Sequence, residues 1–355
     1  MPPRFICCPV WYNVSSMWQK IQGHDILVER FRQAFQRRRL TGTFLFVGPP
    51  GVGKRRFAFA LAKGLLCRKQ DNLDPCGECA SCKLFGQIGC TDIDFDSEAF
   101  LSKNKEKFLS PHPDLYYVFK PPDKKDLPLN ALTDLCSAMN KTAFLGGRKV
   151  AVIHDADYFN ESGANSLLKT LEEPPPDSVL ILIGTSTAKQ LPTIRSRCRI
   201  VRFAPLPPDV LAVLLTEQKL AATPAQAEKI ACLAEGSLEK ARELADGDIE
   251  TVRTELTKIL SAAGWDAAAA AACINKVIES EKEDAVRRRR LRLVFSLMTE
   301  IFYRSLRTGL PPAADALRTV IRQIERVLEA AEQTDRNVSV PLIAESLAVD
   351  LGYTR

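Results

Sequence analysis

Apolar residues recur along this chain in two rhythms. Runs rich in apolar residues at Thr43 to Val47, Lys149 to Asp155 and Val179 to Gly184 predict strands buried on both faces, as in a parallel sheet covered by helices. Residues Arg56 to Leu66 carry apolar positions at helical spacing instead. Past residue 206 only the helical rhythm continues, through Asp209 to Lys219, Ala225 to Leu233, Ala267 to Glu281, Leu291 to Leu306, Ala314 to Glu332 and Val340 to Leu351. Pro205, Pro207 and Pro208 punctuate the change. The pattern therefore predicts an α/β domain over 17–206 with a parallel sheet flanked by helices, a small helical lid over 207–260, and an all-α domain over 261–355. Residues 1–16 form an irregular extension, and the chain starts at either Met1 or Met17.

Composition narrows the class. At 355 residues with 46% hydrophobic content, the chain can bury more than one core. No stretch approaches the roughly 20 apolar residues of a membrane span, and the patch around Phe5 to Trp11 is too short and too broken by Pro9 for a signal peptide, so a soluble cytoplasmic protein is expected. A net charge of +6 permits nucleic-acid contact without requiring it. The densest basic run, Arg287 to Arg290 with Arg292, has no interleaved aromatics and reads as a charged helix face or subunit contact before a nucleic-acid surface. The Lys- and Pro-rich stretch from Lys103 to Leu127 predicts an exposed loop framing Tyr116 to Phe119.

Candidate chemistry sits at three places. Directly after the first strand comes Gly48-Pro49-Pro50-Gly51-Val52-Gly53-Lys54, then the helix. Glycines let successive N–H groups face a phosphate, and Lys54 can reach its outer oxygens. Arg55, however, stands where Ser or Thr would give a hydroxyl to Mg²⁺, so hydrolysis suffers more than binding, and the loop either holds ATP or keeps only the shape of such a site. The second strand ends at Asp155, a possible Mg²⁺ ligand through water; Ala156 follows where a general base would stand, and Asp157 on an extended chain points to the opposite side.

Eleven cysteines are many, and Cys67, Cys76, Cys79 and Cys82 crowd into one segment with Pro75 and Gly77 turning the chain between them. Four thiolates at such spacing suit a closed structural Zn²⁺ site in a module over about 67–90; Cys90 is a less favoured substitute ligand.

Beyond these, Asn165 to Pro175, the strand Val179 to Gly184, the segment Leu191 to Cys198 and His112-Pro113-Asp114 together resemble the clamp-loader AAA+ family of bacterial DNA polymerase III, from about Trp18 to Leu206. The resemblance implies an AAA+ nucleotide-binding fold with a helical collar, and gamma/tau and delta subunits as neighbours in a hetero-pentamer that meets the sliding clamp and primed DNA. It implies that Arg197 reaches the ATP site of an adjacent subunit, with Ser196 and Cys198 positioning it. An arginine supplied in trans neutralises charge developing on a transferred phosphoryl group. Arg55, Ala156 and Leu238-Glu239 all depart from the hydrolysing gamma/tau type while Arg197 is kept, so the expected role is a finger donor that performs no turnover, with a working gamma/tau-type ATPase as the alternative. An unrelated P-loop kinase or zinc-dependent nucleic-acid binder would explain one motif each.

Overall fold

The structure is a computed structural model describing residues 18, 21–69, 72–87, 109–121, 124–145, 147–261, 266–279, 284–308, 314–334 and 338–353. Residues 1–16, Met17, Cys90, Gly146 and the start of the expected loop at Lys103 lie outside the described residues. The chain divides into two compact units, Met1–Val210 with Gly236–Leu238, and Leu211–Glu235 with Glu239–Arg355.

The first unit is built on a sheet of β1 (Gly42–Val47), β2 (Leu109–His112), β3 (Leu115–Val118), β4 (Lys149–Ile153), β5 (Ser178–Gly184) and β6 (Arg199–Arg202). Their spatial order is β2-β3-β4-β5-β1-β6; β3, β4, β5, β1 and β6 are parallel, and β2 joins β3 antiparallel. The apolar runs follow from this placement. Phe44, Phe46, Val150 and Val152 point into a core under one face, while Leu45, Val47, Ala151 and Ile153 point into a second core under the other.

Helices α1 (Asp25–Gln36) and α2 (Lys54–Leu66) cover the first face, with α3 (Ala80–Gln87) beside them, and α4 (Leu129–Met139) and α5 (Glu161–Glu172) cover the second. Asn160 caps α5 by accepting the Gly163 N–H at 2.7 Å, which satisfies one of the amides left open at a helix start. A single-turn helix, α6 (Pro192–Arg195), leads into β6.

Within the stretch expected to be an exposed loop, Leu115, Tyr117 and Val118 are buried in β3, whereas Lys124 to Asp126 are exposed. Four residues are too few to display periodicity, and the strand is held at its entry by Asp114. That carboxylate, 2% exposed, accepts the N–H groups of Phe144 at 2.6 Å and Leu145 at 3.0 Å, tying the entry of β3 to the turn that precedes β4. The Asp114 N–H in turn donates to His112 Nδ1 at 3.1 Å. The His-Pro-Asp triplet is thereby a structural clamp.

The second unit is helical: α7 (Pro208–Glu217, entering it at Leu211), α8 (Pro224–Leu233), α9 (Leu238–Leu244, from Glu239), α10 (Gly247–Ser261), α11 (Ala267–Glu279), α12 (Asp284–Thr308), α13 (Ala314–Gln333) and α14 (Val340–Tyr353). The arginine run lies on α12 and is used for packing. Arg288 bonds Asp284 at 2.7 Å and the carbonyls of Thr334 and Val338, Arg289 bonds Glu243 at 2.5 Å, and Arg290 meets Asp246 at 3.3 Å. Burial raises the Glu243 carboxyl above its ordinary pKa, against the opposing pull of Arg289. Among the described residues no helix is long and apolar enough to cross a membrane.

Replacing Asp114 by Ala strands two backbone N–H groups and should lower unfolding stability by about 2–3 kcal/mol in urea titrations, with Asp114→Asn, which keeps one acceptor, costing less.

Candidate functional site

The glycine loop follows β1 into α2, as its spacing predicts. Gly48 has no room for a side chain, since a Cβ there would sit 2.4 Å from the carbonyl oxygen of Phe203. Gly51 and Gly53 adopt φ of 71° and 95°, left-handed values that only glycine takes without strain. Lys54 is the first helical residue and is buried, its Nζ donating to the carbonyls of Gly48 at 2.6 Å and Pro49 at 2.5 Å.

Two further carbonyls of the loop are also engaged. Gly51 accepts the Leu238 N–H at 3.0 Å, and Val52 lies 2.7 Å from His24 Nε2. Burial holds His24 below its usual pKa, so the ring is neutral at pH 7 and donates from Nε2. The loop thus has the curl of a phosphate cradle, but its lysine amine is turned onto its own backbone.

Asp155 follows β4 at the carboxyl ends of the strands, level with Val47 and one strand away from β1. Its backbone is left-handed, at φ 59°. Burial alone would raise its pKa; His154 Nδ1 at 3.1 Å and the Lys120 N–H at 3.3 Å outweigh burial and hold the carboxyl below the ordinary range. The chain then turns through a short 3-10 segment, Ala156–Tyr158, instead of extending. The expected orientation of Asp157 rested on an extended chain and is corrected: its carboxylate accepts the Thr185 N–H at 2.8 Å and the Gln190 amide, crosslinking the ends of β4 and β5. Ala156 is buried and offers no base.

Arg197 lies in the turn between α6 and β6, on the opposite end of the strands from the loop. β6 runs parallel to β1 with Arg199 beside Phe44, so Arg197 precedes the start of that ladder, whereas Gly48 lies about 13 Å further along the strand axis. Its Nε donates to Glu172 Oε1 at 2.6 Å, and its Nη1 to the Thr193 carbonyl at 3.0 Å and Ser196 Oγ at 3.3 Å. Ser196 Oγ donates to the same Thr193 carbonyl at 3.1 Å. Cys198 packs against the second core, where burial pushes its thiol up to about 12.

The four cysteines converge. Cys67 caps the end of α2, Cys82 lies in the first turn of α3, and all four Sγ atoms lie within 4.8 Å of one another. A tetrahedral thiolate site with metal–sulfur bonds of about 2.3 Å has sulfurs about 3.8 Å apart, so a small contraction would close this group around an ion. Backbone N–H groups of Cys76, Cys79 and Cys82 point at the sulfurs of Cys67, Cys76 and Cys79 at 3.3, 3.4 and 3.5 Å, the donors a thiolate cluster needs. Burial opposes ionisation of Cys79, but N–H groups of Arg68 and Cys82 overcome it and bring that thiol down to about 6; burial raises Cys67 and Cys82.

Sequence reading missed what the cysteine segment holds. Between Cys67 and Cys76 the chain passes through Leu73, fully buried with φ 63°, whose carbonyl accepts the Trp18 Nε1–H at 3.2 Å. Gly64 lets that carbonyl lie against α2, because a Cβ at 64 would come within 2.3 Å of it. Asp74 meets Arg32 of α1 at 3.0 Å. The spacing of a glycine and a distant tryptophan carries no signal of this contact.

Comparison with known proteins gives a coherent answer. A family model described as "DNA polymerase III, delta subunit" matches residues 23–207. The chain is 33% identical over 217 residues to a protein named DNA polymerase III subunit delta' from Pseudomonas aeruginosa, which covers 61% of this chain and 59% of that relative. Identity is 32% over 185 residues to the Escherichia coli protein of the same name, covering 52% and 48%. A Mycobacterium bovis protein named DNA polymerase III subunit gamma/tau is 28% identical over 205 residues, covering 55% and 30%. The chain thus spans about half to three-fifths of the length of the delta' relatives it matches.

In protein loaded with Zn²⁺ at the four thiols, metal removal should be visible at Trp18. In a Trp11→Phe, Trp265→Phe variant, chelation is expected to red-shift and dim the remaining emission in step with metal release, because Leu73 is held between the thiols; metal loss with unchanged emission would show that the two are independent.

Proposed function

Because the chain belongs to the family of the DNA polymerase III delta subunit, we propose that it acts as a delta-prime-type clamp-loader subunit of AAA+ architecture, one that supplies Arg197 to a neighbouring gamma/tau-type subunit's ATP site without turning over ATP itself. The observation that carries this reading is the position of Arg197. A guanidinium at the far end of the strands from its own glycine loop is badly placed for that loop and well placed for a site in another chain.

Release of the arginine breaks only solvent-exposed bonds, to Glu172, the Thr193 carbonyl and Ser196. Its bond to Glu172 joins side chains that are 31% and 49% exposed, and pairs of that kind contribute about 0.2–1 kcal/mol. A developing phosphoryl charge in a dry interface attracts a guanidinium far more strongly. Glu172 therefore serves as a resting partner, with Ser196 and the Thr193 carbonyl fixing the base of the turn and Cys198 anchoring it as a neutral, buried thiol.

The glycine loop supports the second half of the reading. Lys54 is folded onto Gly48 and Pro49, Arg55 replaces the Mg²⁺ hydroxyl, Asp155 is paired with His154, and Ala156 supplies no carboxylate to activate water. Nucleotide binding without turnover is compatible with this loop; in that state Gly51, Gly53 and Lys54 would line the phosphates. We assign Zn²⁺ to Cys67, Cys76, Cys79 and Cys82, since four thiolates close the shell and leave it a structural role.

Residues 261–355 would act as the collar of a hetero-pentamer containing gamma/tau and delta subunits, with the sliding clamp and primed DNA engaged through the assembly. Leu317, Ile321 and Leu328 on α13, spaced by four and seven, and Leu342, Val349 and Tyr353 on α14, spaced by seven and four, form exposed apolar stripes suited to helix contacts between subunits.

Measured with clamp and primed DNA in the reconstituted loader, Arg197→Ala should abolish turnover at the site it faces, by roughly 1,000-fold there, while Lys54→Ala leaves turnover unchanged. The reverse pattern would make this chain a working gamma/tau-type ATPase.

A further inference from the structure

The outer edge of β6 lies beside a groove of about 550 Å³ that belongs neither to the glycine loop nor to the arginine turn. Its floor is apolar, formed by Phe31, Leu40, Phe44 and Val201. Arg30, Arg39 and Arg199 rim it and none of the lining residues is acidic, while Arg202 borders it at the strand and carries its side chain, like Ile200, on the other face of the sheet from Val201. Arg199 is anchored, donating to the Arg39 carbonyl at 3.1 Å and lying over the Phe44 ring. Arg30, Arg39 and Arg202 are exposed and make no side-chain hydrogen bond or ion pair among the described residues.

The strand edge itself is open. The Phe203 N–H donates to the Val47 carbonyl at 2.8 Å, which fixes the alternation of β6: Val201 faces β1, and the N–H and C=O groups of Ile200 and Arg202 face away from the sheet. Those outward groups have no backbone partner among the described residues. A row of open donors and acceptors, an apolar trough and unpaired guanidiniums occur together over one short strand.

We infer that β6 is a docking edge for an extended acidic peptide of a partner protein, added as a further strand, with its apolar side chains in the groove and the alternating carboxylates on the opposite face at Arg202, while Arg30 and Arg39 add to the positive field that draws it. Strand addition supplies affinity through main-chain bonds and specificity through alternate side chains. Arginine, whose planar fork takes a carboxylate through two parallel bonds, suits that pairing. A nucleic-acid strand fits less well: Phe31 and Phe44 are each only 6% exposed, which leaves no ring face for a base to stack on, and phosphates, which only accept, leave the outward C=O groups unanswered.

The test uses the full-length protein and fluorescence anisotropy of a dye-labelled nine-residue peptide alternating Asp and Val. Two derivatives carry N-methyl groups on the odd or on the even residues. Strand addition requires that one derivative loses binding and the other keeps it, and that Arg30→Glu with Arg202→Glu weakens the parent peptide by at least about tenfold in protein whose circular dichroism is unchanged. Equal binding of both derivatives would reduce the site to a charged patch and overturn the inference. So would tighter binding of a single-stranded oligonucleotide that displaces the peptide. Absence of peptide binding would mean that the arginines only guard the edge against self-association.

Discussion

The ring of Phe57 meets four other aromatic rings edge-on: Trp18 at 5.4 Å, Phe31 at 5.3 Å, Phe46 at 5.8 Å and Phe203 at 5.2 Å. These rings come from the segment before α1, from α1, from β1 and from the end of β6, and Phe57 itself sits on α2. Such contacts contribute about 0.5–1.5 kcal/mol each beyond the area they bury, and their geometry is restrictive. The glycine loop spans the gap between two of those anchors, Phe46 and Phe57. His24 reaches Val52 because its ring also packs on Phe203, at 4.9 Å. The shape of the loop is therefore enforced from beneath by hydrocarbon packing, which explains how it keeps its curl although Arg55 offers no hydroxyl and Ala156 no carboxylate.

The same aromatic core connects to the thiol cluster. Trp18 is packed on Phe57 and hydrogen-bonded to Leu73, and Leu73 lies between two cysteines of the cluster. A structural metal at that position would stiffen the short chain segment on which the N-terminal part of the domain leans, and the module would then brace α1 and the loop.

Much of this architecture was legible in the residues. The two-faced strands β1, β4 and β5 announced themselves as apolar runs, and the last helices as apolar spacing, because in both cases burial acts on many residues in series. The four cysteines were legible for a different reason: thiols so closely spaced have few uses besides metal. Short elements were not. Strand β3 is fixed by one buried carboxylate, Asp114, acting on amides 30 residues away, and Asp157 is turned by a 3-10 segment that no pattern of polar residues foretells. The pairing of Arg197 with Glu172 and the edge groove beside β6 depend on residues far apart in the chain, and only three-dimensional placement brings them together.

The order of strands in the sheet also governs when this domain can form. β1 is flanked by β5 and β6, so Phe44, Leu45, Phe46 and Val47 have no lateral partner until residue 184 has been made. At ordinary rates of synthesis that interval lasts roughly 7–27 s, during which an apolar, uncharged strand waits on the ribosome. A short segment of that kind is prone to self-association. Nascent chains of this protein thus carry an unpaired apolar strand for a defined period, which ends when β5 pairs beside β1.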